Sequence, residues 1–569
     1  MELMTFREIA YRRPAVAKVI KTIRRDLRDF RKAKSFEAAK TAFDRFIALT
    51  DRLATQYTLA DIRHTVDMTD KFYEREKRFY DRAVPLLLPF LKRCLVVFFK
   101  SPYVSGFEDL YGSHLFRDAK TKMGLYTAGV ILPMIRENSL TSAYAKAAAG
   151  CKTEFRGETC NFYGLLRHMQ STDREERREA FLAWAKLYED VSPTLEKQYR
   201  QMVGTRCKIA KRAGYPDYIR YCYVSRGRYD YTPADAAAFR TAVKTWITPL
   251  CAKLYEEQRQ RLGIDSLQWY DEGLMFPDGN ATPIGDPETL VRKARDMYTA
   301  MSPETAAFFD FMTAHDLFDL VTRPGKHLGG YCTVLPEYRA PFIFSNFNGT
   351  SADVDVLTHE AGHAFAFYTS SRALPLNLQC NAVAEICEIH SMSMEHFAYP
   401  YMESFFGDKA DRYRYQHLCD AVKTVPYLVA VDEFQHRVYE NPGAGPADWR
   451  RFWKEIEQTY LPWRQYDGNA FLESGGFWMQ KQHIFLYPFY YIDYALAQLC
   501  AFSLYRRQCE TGDAWQPYLK LCELGGKYGY FETLDRAGIP NPFDETFIKE
   551  TAAFLETQIE TLKQKAIPD

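Results

Sequence analysis

The chain has 569 residues, with 74 lysines and arginines against 73 aspartates and glutamates, and 47% of its residues are hydrophobic. This length and hydrophobic content exclude a disordered chain, because they suffice to build a large core. The balanced charge argues against a nucleic-acid-binding protein, which needs a basic face for the phosphate backbone. It argues equally against a protein that binds membranes through a polybasic surface.

The cysteines and the apolar segments indicate the cellular compartment of the protein. Thirteen cysteines occur without any CxxC pair, which favours neither a disulfide framework nor a cysteine zinc site. A reducing, cytoplasmic location is the simplest expectation. The first residues include acidic and basic side chains, so we expect no signal peptide. The most apolar stretch, 83–99, contains two prolines and two basic residues, which divide it into runs too short for a bilayer.

The pattern along the chain is mainly helical. Residues 1–100 and 105–190 repeat apolar positions at three- and four-residue spacings, as in the segment 36–59. Ser171, Thr172 and Asp173 offer an N-cap for one of these helices, and acidic residues follow in its first turn.

The second half of the chain adds a small β element to this pattern. Residues 263–287 are rich in glycine and proline, which predicts an irregular surface segment. Between 324 and 349, the runs 329–334 and 341–347 predict short strands. The helical pattern then returns and continues to the end, so the sequence predicts a mainly α protein with one small β-sheet.

The segment directly after these strands carries a metal-binding motif. Residues 358–365 read THEAGHAF and contain HExxH. On a helix, positions i and i+4 share one face, so His359 and His363 can present two imidazoles to one zinc ion. Glu360 can act on the attacking water as a general base. Thr350 or Ser351 can cap this helix, which we place near 351–372.

A catalytic zinc ion usually has a third protein ligand farther along the chain. The metzincin pattern is excluded, because Thr369 stands where its third histidine would be. Glu385, Glu388 and Glu395 lie close to one face of a predicted helix near 380–398. Glu388 and Glu385 are the candidate ligands, and Glu395 is a candidate to orient a ligand histidine from behind.

The remaining histidines and a late aromatic segment need separate interpretations. The histidines that stand alone in the sequence are expected to be structural: His64, His114, His168, His315, His327, His417 and His436. The segment 480–494, QKQHIFLYPFYYIDY, places four tyrosines close after His483. A tyrosine hydroxyl or imidazole can stabilise the oxyanion of amide hydrolysis. The alternative is an aromatic helix packed in the core, and the residues alone leave both open.

In these three blocks the chain resembles the thimet oligopeptidase and oligoendopeptidase F family of zinc metallopeptidases. HEAGHAF is similar to the zinc-binding helix of that family. The segment 388–391, with Glu395 seven residues after Glu388, resembles the ligand segment, and this ranks Glu388 above Glu385. HIFLYPFYYIDY is similar to the substrate-binding His/Tyr segment, and the strand region 341–349 resembles the oligoendopeptidase F branch.

The resemblance implies a mainly α, helical ellipsoid with a deep substrate channel, in which one small sheet lies beside the zinc helix. It implies a helical N-terminal lobe over the channel, for which we take residues 1–195, and a catalytic metallopeptidase domain, residues 196–569. The implied activity is zinc-dependent hydrolysis of internal bonds in short, unstructured peptides. One Zn²⁺ ion would be bound by His359, His363 and Glu388.

The resemblance also assigns roles within the aromatic segment. His483, Tyr491 and Tyr494 are expected to stabilise the oxyanion or hold the substrate backbone during catalysis. Two registers of the tyrosines fit the family pattern, and Tyr494 keeps its place in both. Tyr487 belongs to one register and Tyr490 to the other, and both are expected to contact substrate.

The strand at 342–347 is expected to pair with the bound peptide as an added strand, with Phe344 and Asn346 in contact with it. Two other functions remain open. One is a zinc carboxypeptidase or dipeptidyl carboxypeptidase on a related helical fold, which would release terminal fragments. The other is a non-catalytic peptide-binding protein, which would show no zinc-dependent turnover.

Overall fold

The computed structural model describes residues 4–323, 325–327 and 329–567. Residue 324, where the predicted strand region begins, lies outside the described residues, as do 1–3, 328, 568 and 569. Within the described part of the chain, every helix is too short or too polar to cross a membrane.

The amino-terminal region is helical, as the apolar spacing predicts. Its helices are α1 (Val16–Arg31), α2 (Phe36–Val66), α3 (Lys71–Phe99), α4 (Val104–Tyr111), α5 (Ser113–Lys122) and α6 (Ile131–Ala149). Helix α3 continues through Pro85 and Pro89, so these prolines interrupt the apolar composition but not the helix.

A short hairpin that the sequence analysis did not predict follows α6. It consists of β1 (Thr153–Phe155) and β2 (Glu158–Cys160), which pair antiparallel. Two helices come next, α7 (Phe162–His168) and α8 (Arg174–Arg212). Asp173 caps α8 as predicted, because its carboxylate accepts a hydrogen bond from the backbone of Glu175 at 3.0 Å. The predicted domain boundary at 195/196 falls inside this continuous helix, so the chain does not divide there.

The middle of the chain adds five helices and an irregular segment. The helices are α9 (Tyr218–Ser225), α10 (Pro233–Trp246), α11 (Thr248–Arg261), α12 (Pro287–Met301) and α13 (Pro303–Ala314). The segment 263–287 is irregular as predicted, and it lies only partly on the surface, where Asp278 and Ile284 are exposed. Asp271 is fully buried there, since it is ion-paired with Arg177 at 2.8 Å.

The predicted strand region forms a three-stranded sheet. The strands are β3 (Phe318–Val321), β4 (Tyr331–Leu335) and β5 (Ala340–Phe347), in the order β3-β5-β4. Strand β4 pairs antiparallel with β5, and β3, which the sequence analysis missed, pairs parallel with it. Strand β5 is therefore central, with a neighbour on each side.

The remaining helices complete the mainly α fold. They are α14 (Ala352–Ala373), α15 (Ala384–Phe397), α16 (Met402–Phe406), α17 (Ala410–Glu440), α18 (Pro446–Tyr460), α19 (Ala470–Glu473), α20 (Gln482–Leu486), α21 (Tyr491–Thr511), α22 (Trp515–Leu524), α23 (Tyr530–Ala537) and α24 (Glu545–Ala566). Helix α15 packs between α14 and α21, and α14 packs against β5. The segments with the predicted chemistry therefore meet at the centre of the molecule.

Candidate active site

Helix α14 carries the HExxH motif and is held in place by an apolar stripe. Val354, Leu357, Ala361 and Ala364 are all fully buried. The predicted cap by Thr350 or Ser351 is wrong, because neither side chain bonds the first turn. Asp353 closes this end instead, since its carboxylate accepts hydrogen bonds from the backbone of residues 348 and 349 at 2.9 and 2.7 Å.

Helices α14 and α15 cross in unusually close contact at Gly362. A Cβ atom added there would lie 2.6 Å from His390 O and 2.6 Å from Ser391 Cα. Only glycine fits at this crossing, because real Cβ atoms do not approach main-chain atoms so closely. The close approach places Glu388 beside the two histidines of the motif.

The structure brings together the three predicted metal ligands. The ligand atoms of His359, His363 and Glu388 all lie within 4.8 Å of one another. Glu388 Oε2 is 3.5 Å from the Nε2 atom of each histidine. Burial opposes the charged form of Glu388, but the two imidazoles hold the pKa of its carboxyl well below the ordinary value. Two imidazoles and one carboxylate are a donor set that suits catalytic zinc.

Two hydroxyl groups fix the Glu388 carboxylate. Tyr490 donates a hydrogen bond to Oε1 at 2.5 Å, and Ser391 donates one to Oε2 at 3.1 Å. The lower-ranked candidate Glu385 has other partners, because it accepts a hydrogen bond from Tyr231 and lies 3.5 Å from Arg228 Nε. Glu385 therefore belongs to a buried ionic cluster outside the group of metal-ligand atoms.

A chain of hydrogen bonds runs behind His359. Its Nδ1 atom lies 2.6 Å from Glu395 Oε1, and Glu395 Oε2 lies 3.0 Å from His417 Nε2. His417 Nδ1 in turn lies 2.7 Å from the hydroxyl of Tyr399. His417, which stands alone in the sequence and was expected to be structural, therefore contacts the carboxylate behind His359. Glu395 lies behind His359, where the sequence analysis expected a carboxylate that orients a histidine.

The carboxylate of Glu360 lies next to this group in a nearly dry environment. The residue is 7% exposed, and burial raises the pKa of its carboxyl above the ordinary value. The backbone at Gly330 borders it, since a Cβ atom at this glycine would lie 3.6 Å from Glu360 Oε1. The entry to β4 therefore runs directly beside the candidate general base.

The aromatic segment is broken rather than continuous. Helix α20 ends at Leu486 and α21 begins at Tyr491. Between them Phe489 has a φ of +61°, which side chains other than glycine adopt rarely. Its backbone N–H donates to Gln435 Oε1 at 2.8 Å, and its carbonyl accepts from the guanidinium of Arg228. This turn directs Tyr490 onto the ligand carboxylate.

The four tyrosines fall into different surroundings. Tyr494 is half-buried, with its ring 5.0 Å from that of Tyr490. Burial and the nearby carboxylates of Glu388 and Glu360 raise the pKa of Tyr494 well above its ordinary value. Tyr491 is only 6% exposed and packs against Tyr427, with the ring centroids 6.1 Å apart.

The structure therefore favours the register that pairs Tyr490 with Tyr494. Tyr491, expected to act in catalysis, is buried, and its ring lies 4.8 Å from that of His483. Tyr487 is 53% exposed and its ring lies 5.7 Å from that of His483.

His483 lies among these tyrosines as a neutral imidazole. Burial lowers the pKa of His483 to about 3, and nearby Lys481 adds to this effect. Among the described residues, its Nδ1 atom has no hydrogen-bond partner. The ring centroids of four tyrosines lie 4.8 to 6.1 Å from its own: Tyr487, Tyr490, Tyr491 and Tyr494.

The central strand β5 does not offer the predicted peptide contacts. Both its edges are occupied by β3 and β4, so the expectation that it pairs with a peptide is wrong. Phe344 is fully buried beneath the ring of Tyr331, 4.7 Å away, and cannot reach a ligand. Asn346 uses its amide to donate to the carbonyls of His327 and Gly329, both at 2.8 Å. It therefore shapes the turn that leads to Gly330.

Comparison with known proteins agrees with this geometry. A model of the peptidase M3 N-terminal domain matches residues 6–126, and a model of peptidase family M3 matches residues 167–273 and 308–553. The chain belongs to peptidase family M3. No curated protein matches it.

Solved structures of M3 peptidases resemble this one over their whole length. A crystal structure of an oligoendopeptidase F is 42% identical, with a TM-score of 0.95, and the match covers 99% of this chain and 100% of that one. PZ peptidase A with an inhibitor is 39% identical, with a TM-score of 0.95 and 98% and 100% coverage. An oligoendopeptidase F from Bacillus anthracis is 36% identical, with a TM-score of 0.91 and 100% coverage of both chains. This M3 peptidase is a metallo-oligoendopeptidase of the oligoendopeptidase F type, as the three sequence blocks predicted.

Proposed function

We propose that this M3 peptidase hydrolyses internal bonds of short, unstructured peptides with one Zn²⁺ ion bound by His359, His363 and Glu388. The observation that carries the proposal is the convergence of these three ligand atoms within 4.8 Å on two crossing helices. When bound, zinc supplies a Lewis acid for the scissile carbonyl and lowers the pKa of water toward about 7.

The residues around the ligands hold them in the geometry that zinc needs. Glu395 accepts the Nδ1–H of His359, so the Nε2 atom is the free nitrogen on the side of Glu388. Such a carboxylate behind a ligand histidine fixes both its tautomer and its ring orientation. Tyr490 occupies Glu388 Oε1, which leaves Oε2 facing the imidazoles. We therefore assign Tyr490 to ligand orientation as well as to the wall of the substrate site.

Glu360 is the general base of the proposed reaction. Its carboxylate takes a proton from the attacking water and delivers it to the nitrogen of the leaving amine. The raised pKa that burial gives Glu360 suits this task, because a base works best when its pKa lies near the operating pH.

Tyr494 and His483 are the proposed donors to the substrate carbonyl. The ring of Tyr494 lies 6.1 Å from that of His483 and 5.0 Å from that of Tyr490, whose hydroxyl bonds Glu388. His483 is neutral and therefore carries one N–H donor, and its burial excludes competing water. Removal of one such donor typically lowers kcat by about 10²–10³.

The amino-terminal helices are proposed to cover the substrate channel. Helix α2 packs against β4, and the hydroxyls of Thr65 and Tyr331 lie 2.6 Å apart across this contact. The backbone N–H of Glu337 also donates to Thr55 Oγ1 at 2.9 Å. A cover of this kind admits an extended peptide and excludes a folded protein. The thirteen cysteines are all free thiols, which supports a cytoplasmic location.

The test is mass spectrometry of a digest of peptides of graded length, with a chelator and with zinc added back. Internal cuts confined to short peptides, lost on chelation and restored by zinc, are expected. Release of terminal residues alone would move the assignment to a carboxypeptidase. Absence of cuts in a folded, zinc-loaded sample would refute the proposed activity.

Two conservative variants separate the proposed donor from its neighbour. Tyr494→Phe should lower kcat by about 10²-fold and leave zinc content unchanged, because it removes one donor at the carbonyl. Tyr491→Phe is the matched control, since this ring is buried against Tyr427 and should leave kcat unchanged. Equal kcat values for the two variants would contradict the role of Tyr494.

A further inference from the structure

A second group of metal-ligand side chains lies at the hairpin, in residues that the peptidase mechanism does not use. The ligand atoms of Glu158, Cys160 and His168 all lie within 4.8 Å of one another. Glu158 and Cys160 belong to β2, and His168 ends helix α7. The group combines a carboxylate, a thiol and an imidazole, which are the three side-chain types that bind zinc.

The histidine of this group is oriented as a metal ligand would be. His168 Nδ1 lies 2.6 Å from Glu176 Oε1, and Ser171 donates to the other oxygen of Glu176 at 2.9 Å. A proton on Nδ1 therefore points at Glu176. The other nitrogen, Nε2, is hydrogen-bonded to Glu158 Oε1 at 2.6 Å and would exchange this hydrogen bond for the cation. Glu395 holds His359 in the same way at the peptidase site.

The sulfur of this group is buried, and a glycine of α7 packs closely against it. Cys160 is 3% exposed, and burial together with Glu158 raises the pKa of its thiol. A cation between the two side chains reverses this effect, because it stabilises the thiolate. Residue 164 is glycine, and a Cβ atom there would lie only 3.2 Å from Cys160 Sγ. Any larger residue would therefore crowd the sulfur.

We propose that Glu158, Cys160 and His168 form a second site for one divalent cation that binds sulfur, with zinc as the natural occupant. Binding exchanges the thiol proton, which leaves to solvent, for a metal–thiolate bond. Arg167 shares Glu158 Oε1 at 2.6 Å and opposes a cation there. Magnesium and calcium prefer oxygen ligands and find only one carboxylate here, whereas a sulfur-binding metal gains the Cys160 thiolate, which offsets the repulsion.

The bound ion would join the hairpin to two helices. Two of its ligands come from β2 and the third from α7, and the carboxylate that orients His168 comes from α8. The sequence analysis did not find this group, because its cysteine is not part of a CxxC pair and its histidine is eight residues away.

The test is a cobalt titration of the full-length protein after removal of metal with a chelator. The proposed peptidase ligands include no sulfur, so a thiolate-to-cobalt absorption band reports the second site alone. Two equivalents of cobalt and one such band are expected for the parent protein. Cys160→Ser and His168→Gln should each lose the band and one equivalent, while zinc-dependent peptidase activity stays at the parent level.

Two further variants control for folding and for other thiols. Cys509→Ser removes the exposed thiol of the chain and should leave the band unchanged. Glu158→Gln keeps the shape of the residue and should weaken cobalt binding at this site at least tenfold, so the site stays testable if Cys160→Ser unfolds. A single equivalent without the band, or a band that survives Cys160→Ser, would overturn the proposal. Neither result depends on whether peptides are cleaved.

Discussion

Replacing Gly362 by alanine tests whether the crossing of α14 and α15 sets the geometry of the site. The added Cβ atom would lie 2.6 Å from two main-chain atoms of α15 and 3.0 Å from Met394 Cβ. Main-chain atoms cannot turn aside as a flexible side chain can. The helices must therefore separate by about 0.8 Å to restore ordinary contact at 3.4 Å.

This separation would move the ligand Glu388 and the orienting Glu395 together, because both are on α15. A displacement of about 1 Å in a catalytic arrangement lowers the rate by about 10²-fold, and loss of an orienting partner weakens metal binding by about 10- to 100-fold. Overpacking of this kind also lowers the free energy of unfolding by about 1–3 kcal/mol. Gly362→Ala should thus lose activity and zinc affinity out of proportion to its loss of stability.

The assays are kcat/KM on a quenched fluorescent peptide, zinc affinity by competition with a coloured chelator, and thermal unfolding. Gly204→Ala is the matched control, because Gly204 lies inside α8 with no atom within 4 Å of the added Cβ. This control should be more stable by about 0.5–1 kcal/mol and fully active. The reasoning is refuted if Gly362→Ala stays within twofold of the parent protein in both kcat/KM and zinc affinity.

Substitutions of four acidic residues give three further predictions. Glu360→Gln should keep zinc and peptide binding but lose about 10²–10⁴-fold in kcat, and single-turnover kinetics at a normal rate would exclude it as the base. Glu395→Gln should weaken zinc binding by about 10- to 100-fold, measured by chelator competition, and unchanged affinity would show that His359 needs no support. Glu385→Gln should leave zinc stoichiometry at one catalytic ion while Glu388→Gln loses that ion; equal zinc content in the two variants would contradict the ligand assignment.

The convergence of the proposed metal ligands was predictable because its determinants are local. His359 and His363 are four residues apart on one helix, and Glu388 and Glu395 are seven apart on the next. Helical periodicity alone places each pair on one face. The role of His417 was not predictable, because it joins Glu395 only when α17 packs beside α15. Nothing in the residues around it differs from an ordinary helix.

The parts of the structure that the sequence analysis missed depend on contacts between distant segments. Strand β3 has four residues and gains its place only by parallel pairing with β5, which no local pattern reveals. The turn at Phe489 contains no glycine and is held by Arg228 and Gln435 from elsewhere in the chain. The central position of β5 likewise depends on β3. Because β3 and β4 occupy both edges of β5, a peptide cannot add to it as a further strand.

Helix α8 is continuous and packs against segments from both halves of the chain. Its 39 residues form a rod of about 58 Å. Helix α6 packs against it, and the fully buried guanidinium of Arg206 donates both to Glu137 of α6 and to the carbonyls of residues 484 and 485. A fragment that began at 196 would start inside this rod and lose Trp184, whose ring lies 4.5 Å from that of Trp269 and 6.0 Å from that of Phe477. The catalytic half therefore cannot be separated at that point without losing part of its own core.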